Sequence, residues 1–283
     1  MTAMRVVDAH YHLWDLDVRD QDWITGLALA PLRRNFLLDD YRHLSEAHGI
    51  ATSVVVQTVT VPGETPELLA LAAGSDLIAG VVGWADLTAP DIADRIAALA
   101  ELPGGAKLVG LRHQVQGEPD PDWLTRPDVL RGLAVAARAG LVYDLVITCG
   151  QLGQATRAAA AVPDLQFVLD HLGKPPIASG RTEPWAADLR RLAALPNTMA
   201  KLSGLVTEAD WRRWQIADLR PYAEVALDSF GPARLVFGSD WPVCTLAASY
   251  PDVLEVARDL TGQLSPAERE ALFAGTATSV YGI

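Results

Sequence analysis

The chain has 283 residues, half of them apolar, which suits either one α/β barrel of about 250 residues or two ordinary domains. Charged residues make up 20%, so disorder is not suggested. The formal net charge of −12 disfavours nucleic acid and anionic membrane surfaces as partners. An anionic substrate stays open, because local Arg and Lys override the mean field inside a pocket.

The N-terminal MTAMRVVDAH runs directly into a strand pattern, so no secretory leader is expected. No uninterrupted apolar run long enough for a membrane span appears. The two cysteines, Cys149 and Cys244, are far apart and form no disulfide framework. A soluble cytoplasmic protein is the expectation.

Eight apolar runs predict strands at Val6–Leu13, Ser53–Val59, Ile78–Ala85, Leu108–Gln114, Leu141–Thr148, Gln166–His171, Thr198–Ser203 and Arg234–Asp240. Between them, Asp91–Leu102, Val129–Arg138, Gln154–Val162, Tyr222–Phe230 and Ser265–Phe273 read as helices, the last with Ser265 as cap and Pro266 in the first turn. Alternating strands and helices predict parallel βαβ units, and eight of them predict a closed (β/α)₈ barrel spanning residues 1–283 as one domain. Two longer excursions, Asp15–Asp40 with Trp14, Trp23 and Phe36 around it, and Pro175–Trp185, follow the first and sixth strands. Long loops on one rim are usually functional.

The active site of such a barrel lies at the C-terminal ends of its strands. Polar and titratable residues do gather there: His10 and His12, Gln57, Arg112 to Gln114, Asp144, Asp170 and His171, Lys201 and Ser203, Ser239 and Asp240. His10 and His12 are two apart on a strand and share a face, so both imidazoles enter one pocket, to bind a metal or to polarise a carbonyl. Asp240 ends the eighth strand, which neighbours the first in a closed barrel, and a carboxylate beside imidazoles takes a proton from water. His171 ends the sixth run and joins this catalytic set. Arg112 suits a carboxylate or carbonyl through its fork of donors. Alternation along a strand means that Arg112 and His113 do not both point inward, and the sequence leaves open which does. Gln57, Lys201 and Trp241 are further candidates for contact with substrate, and Glu118 for a carboxylate near the pocket mouth. Asp170 either orients a neighbouring side chain or faces the helical layer. Trp14, Trp84 and Trp211 read as pocket walls or core. Cys244 lies near the site motif but has no base beside it.

These motifs resemble the amidohydrolase superfamily, and within it the amidohydrolase-2 branch of sugar-lactone lactonases. The resemblance rests on Asp8-Ala9-His10-Tyr11-His12-Leu13-Trp14, Gly110-Leu111-Arg112-His113-Gln114 with Gln116-Gly117-Glu118-Pro119-Asp120, Leu169-Asp170-His171-Leu172-Gly173-Lys174-Pro175, Lys201-Leu202-Ser203-Gly204 and Phe237-Gly238-Ser239-Asp240-Trp241-Pro242. It covers almost the whole chain and implies a hydrolase opening a lactone of a sugar acid, similar to fuconolactone or rhamnonolactone hydrolases. It implies that His10, His12 and His171 surround the lactone carbonyl or a metal. It also implies that Asp240 activates water and passes the proton to the leaving alkoxide, and that Arg112 and His113 bind substrate oxygens.

The wider superfamily's two-metal members use a bridging lysine or glutamate on the fourth strand and a histidine on the fifth. Here the fourth run ends in Arg112-His113-Gln114, and the fifth offers Asp144 and Thr148 without a histidine. The expectation is therefore either no required cofactor, with imidazoles and Arg112 stabilising the oxyanion, or one zinc on His10, His12, His171 and Asp240. The partner is a small lactone or carboxylic acid, and a homo-oligomer is possible on this scaffold. Competing readings are a zinc-dependent decarboxylase of a muconate-type or aromatic acid, a lactone isomerase, and a barrel that binds a sugar acid without turnover.

Overall fold

The computed structural model describes residues 5–283; Met1–Met4, on which part of the leader argument rests, lie outside the described residues. Eight parallel strands form one sheet in sequence order: β1 Val6–Tyr11, β2 Ile50–Val56, β3 Ile78–Gly83, β4 Leu108–His113, β5 Val142–Leu145, β6 Phe167–Leu169, β7 Thr198–Leu202 and β8 Leu235–Phe237. The seam between β8 and β1 closes just past the strand ends. There the Asp240 amide donates to the His10 carbonyl at 2.8 Å, and the His12 amide donates to the Trp241 carbonyl at 2.7 Å. The expected barrel is thereby confirmed.

Helices α1 Leu38–His48, α2 Glu64–Ala73, α3 Ile92–Ala100, α4 Pro127–Arg138, α5 Leu152–Ala161, α6 Trp185–Ala193, α7 Ile216–Phe230 and α8 Tyr250–Leu260 follow the strands in turn. Their apolar faces pack on the outward faces of the strands in one large core. The α8 start shows why the chain turns there: the Ser249 hydroxyl accepts from the Asp252 amide while the Asp252 carboxylate accepts from the Ser249 amide. The helix expected over Ser265–Phe273 is shorter, α9 Pro266–Glu270, and gives way to a π turn at Ala271–Gly275 before α10 Thr276–Tyr281. Ala274, Ala277 and Tyr281 of this last segment pack with Val7, Val54, Val142, Val168 and Val236 of the strands, filling the barrel interior.

All eight strands stop before their expected ends, by one to three residues. β5, β6 and β8 stop at Leu145, Leu169 and Phe237, whereas the apolar runs predict Thr148, His171 and Asp240. The reason for the last two is local: His171 and Asp240 have positive φ values of 52° and 58°, which no strand accommodates. Both cysteines are free. No helix among the described residues is long and apolar enough to cross a membrane.

Candidate active site

β1 sets the site by breaking its own alternation. Val7 and Ala9 pack into the barrel interior, and Tyr11 faces the helical layer, stacked on Tyr41 with ring centroids 3.7 Å apart. A register shift between Asp8 and Tyr11 lets His10 turn inward directly after Ala9. Asp8 faces outward, where it accepts from the hydroxyls of Tyr41 at 2.9 Å and Tyr250 at 3.2 Å and from the Ser239 amide at 2.9 Å. Asp8 thus ties the first strand to the loop that carries Asp240.

Four side chains converge at the C-terminal end of the barrel. Asp240 Oδ1 lies 3.5 Å from His12 Nε2, 3.7 Å from His10 Nε2 and 3.8 Å from His171 Nε2. All four residues are buried. The His12 ring is oriented by its Nδ1, which donates to the Val56 carbonyl at 2.8 Å, and the His171 ring by Ser203 Oγ at 2.9 Å from Nδ1. Two glycines make room for these rings. A Cβ on Gly204, whose φ is +66°, would stand 2.6 Å from His171 Nδ1, and one on Gly238 would stand 2.6 Å from the His10 Cβ.

Below them lies a buried ionic layer. Arg112 Nη1 donates to Asp170 Oδ2 at 2.9 Å, and Lys201 Nζ pairs with Asp144 and stands 2.9 Å from Asp170 Oδ1 and 3.0 Å from His10 Nδ1. Tyr281 donates to Asp144 from the far side at 2.9 Å. Asp170 therefore faces the interior. Gln57 grips Arg112 from both sides: its carbonyl accepts from Nη2, and its Nε2 donates to the Arg112 carbonyl at 3.1 Å.

Electrostatics follow from this burial. Desolvation opposes charge on Asp240, but His171, His12 and His10 outweigh it and hold the carboxyl well below its usual range. Burial lowers His171 to about 4, against the pull of Asp240 and Asp170. Burial, with the charge of Lys201, pushes His10 well down. At neutral pH the site therefore presents an ionised Asp240 beside neutral His10 and His171.

A cavity of about 250 Å³ opens above this cluster. His12, Arg112, His171 and Asp240 form its floor, and the walls include the indoles of Trp23 and Trp211, the apolar side chains of Leu29, Val243 and Leu246, and the polar Gln114, Lys174 and Glu208. Burial raises the Glu208 carboxyl against the opposing pull of Lys174. The sequence reading did not single out Leu29, Thr207, Glu208 or Leu246. The available signal was a carboxylate and an indole, Glu208 and Trp211, close behind the seventh strand.

Four expected substrate contacts lie off the floor of this cavity. His113 lines an adjoining cavity of about 310 Å³ that shares Trp23, Thr58, Gln114 and Gln116 with the first; it stacks on Trp123 with centroids 4.1 Å apart, accepts from Trp84 Nε1 at 3.0 Å and meets Glu118 at 2.6 Å. Alternation along β4 puts Arg112 inside and His113 outside. Lys201 and Gln57 are fully buried beneath and beside the cavity. The Trp241 ring packs edge-on against Phe36 and tilted against Tyr41, in the core below the first loop. A larger apolar groove of about 650 Å³ runs along Leu13, Trp14, Val18, Leu68 and Leu71, and none of the clustered histidines lines it.

Both metal-type donor triads found among the described residues, His10–His12–Asp240 and His10–Asp170–His171, include His10. The 3.1 Å between His10 Nε2 and His12 Nε2 is close to the roughly 3.3 Å expected of two nitrogens on one tetrahedral zinc. It is also an ordinary N–H···N distance, so spacing does not decide the matter; the partner of the other His10 nitrogen does. The nearer partner is the Lys201 ammonium at 3.0 Å, a donor, with the Asp170 carboxylate farther off at 3.3 Å; a ligating histidine turns this nitrogen's proton to an acceptor, so the lysine contact does not fit a metal on His10.

An eight-stranded parallel barrel with histidines and an aspartate converging on its C-terminal rim defines the class as a metal-hydrolase-type barrel. The chain belongs to the Amidohydrolase family, whose model matches residues 7–283. It is 43% identical to an L-fucono-1,5-lactonase of Burkholderia multivorans, over 100% of this chain and 97% of the relative, and 36% identical to one of Burkholderia ambifaria, over 98% and 95%. A solved amidohydrolase from Burkholderia multivorans with bound zinc superposes with a TM-score of 0.91 at 42% identity, covering 99% of both chains.

Proposed function

We propose that this chain is a hydrolase acting on carboxylic esters, and that it opens the 1,5-lactone of a 6-deoxy aldonic acid of the L-fucono type. The two lactonase relatives, matched over nearly their whole lengths, support the ester-hydrolase class and a sugar lactone as substrate. The observation that carries the chemistry is the Asp240 carboxylate, held ionised on the floor of a small cavity by three imidazoles within 3.8 Å.

In this reading a water beside Asp240 attacks the lactone carbonyl carbon while Asp240 takes its proton. The tetrahedral oxyanion needs donors. Arg112 lines the cavity, and its guanidinium offers a positive charge to a substrate oxygen there. The ring C–O bond then breaks, and the proton returns from Asp240 to the leaving alkoxide, giving the open hydroxy acid. A carboxyl held this low is a weak base, which suits an activated ester, and a strong acid, which returns the proton readily.

The walls match a deoxy sugar lactone. The apolar corner of Leu29, Val243 and Leu246 accepts a methyl group, the indoles of Trp23 and Trp211 face C–H edges, and Gln114, Lys174 and Glu208 reach hydroxyl groups. A pH-indicator screen over aldono-1,5- and 1,4-lactones, alongside muconate-type and aromatic acids, tests the proposal. The expected result is turnover of L-fucono-1,5-lactone, favoured by about tenfold or more over the analogue lacking the methyl. Release of carbon dioxide from an acid, with no lactone opened, would overturn it.

A further inference from the structure

We infer that Lys201 is a positioning residue that fixes His10 as the tautomer carrying its proton on Nε2, so that a proton, in place of a metal ion, joins His10 to His12. The argument begins at the bottom of the barrel. An ammonium has three N–H donors and no acceptor. The Lys201 ammonium, fully buried, hydrogen-bonds Asp144 Oδ2 and His10 Nδ1, the latter at 3.0 Å, and forms an ion pair with Asp170 Oδ1 at 2.9 Å. Tyr281 holds Asp144 in place by donating to its carboxylate. A proton on His10 Nδ1 would face a lysine N–H, donor against donor, between two fully buried side chains. Asp170 Oδ1, 3.3 Å from His10 Nδ1, is farther away than the lysine ammonium and is the acceptor left for a proton on Nδ1 when the lysine is removed.

The same conclusion is reached from the top. His12 Nδ1 donates to the Val56 carbonyl, so the neutral His12 ring presents Nε2 as an acceptor. It lies 3.1 Å from His10 Nε2, and one proton on His10 completes that bond. Arg112 Nη1 also approaches His10 Nε2, at 3.4 Å, a longer contact than that of Lys201 on the other nitrogen and one made by a group already bonded to Asp170 at 2.9 Å. A continuous chain of donors thus runs from Lys201 through His10 and His12 to the Val56 carbonyl. Since both metal-type triads include His10, the direction of this chain decides whether the site takes a cation. Zinc in the solved relative makes the alternative concrete. None of this depends on which ester the enzyme opens.

The test is spectroscopic. In the unsubstituted full-length chain with ¹⁵N-labelled histidine, two-bond ¹H–¹⁵N spectra, with His10 assigned through His10→Gln, should show the proton on Nε2. A proton on Nδ1 would overturn the inference. Lys201→Met removes the donor and lets Nδ1 turn its proton to Asp170, so Nε2 becomes a free lone pair. Calorimetric titration with zinc alone should then show binding at least about tenfold tighter than in the unsubstituted chain. Equal or weaker zinc binding by a folded Lys201→Met chain would also overturn it. Should that variant not fold, the spectrum of the unsubstituted chain still decides.

Discussion

Asp8 and His10, two residues apart on one strand, face opposite layers of the barrel: Asp8 bonds Tyr41 and Tyr250 on the helical side, while His10 meets Lys201 in the interior. A regular strand would put them on one face. The irregularity between Asp8 and Tyr11 separates them, and it gives Asp8 a mechanical role. Asp8→Ala leaves two tyrosine hydroxyls and the Ser239 amide without their acceptor. The expected loss of stability is about 2–4 kcal/mol, read from denaturant midpoints. A loss below about 0.5 kcal/mol would show that this tie does not hold β1 to β8.

His113 separates the rim from the floor. It is bracketed by Trp84, Trp123 and Glu118, and burial lowers its basicity despite Glu118. His113→Phe keeps the stack and removes two polar contacts. Stability should fall by about 1–2 kcal/mol, while kcat/KM stays within about threefold, less than 1 kcal/mol of transition-state stabilisation. A hundredfold loss of kcat/KM in a folded variant would return His113 to the substrate's side.

Gly204 is required on two counts, its φ of +66° and the His171 ring 2.6 Å from where a Cβ would stand. Gly204→Ala should push that ring off Ser203 Oγ and cost about 1–3 kcal/mol of stability. Turnover should drop by about 10²-fold, as for a catalytic group misplaced by an ångström. Unchanged kcat would mean that the ring position of His171 does not matter to the reaction.

The pH dependence follows from two groups. His171 is lowered from 6.5 to about 4, so between those values the unfolded chain binds a proton that the folded chain refuses. Stability from this group is therefore present above 6.5 and falls as pH drops toward 4, by about 3 kcal/mol in all. Asp240, held below its ordinary value, adds stability that is lost below about 4. Activity needs Asp240 ionised, so kcat/KM, corrected for spontaneous lactone opening, should be level from about pH 5 to 8 and fall only below about 4. An acid limb centred near 6.5 would contradict this ordering.

Much of this was legible in the sequence. The eight apolar runs locate the strands, and His10, His12, His171 and Asp240 do converge because strand ends of a barrel share one rim. What sequence spacing does not carry is depth and phase. The bulge in β1, the outward turn of His113 and the inward turn of Asp170 are each a half-turn of a strand, decided by packing partners distant in the chain. Lys201 and Trp241 stand next to recognisable motifs, yet one belongs to a buried ionic layer and the other to the core beneath the first loop. The upper walls come from irregular loops, where periodicity has nothing to report.

The account turns on Asp240 as the base that activates water, and Asp240→Asn tests it most directly. Asparagine tolerates the left-handed backbone at this position and keeps the volume, so the fold should survive. With L-fucono-1,5-lactone followed by pH indicator, kcat should fall by about 10³-fold while KM stays within about threefold. Retention of kcat within about threefold in the folded variant would contradict the account, because some other group would then be taking the proton.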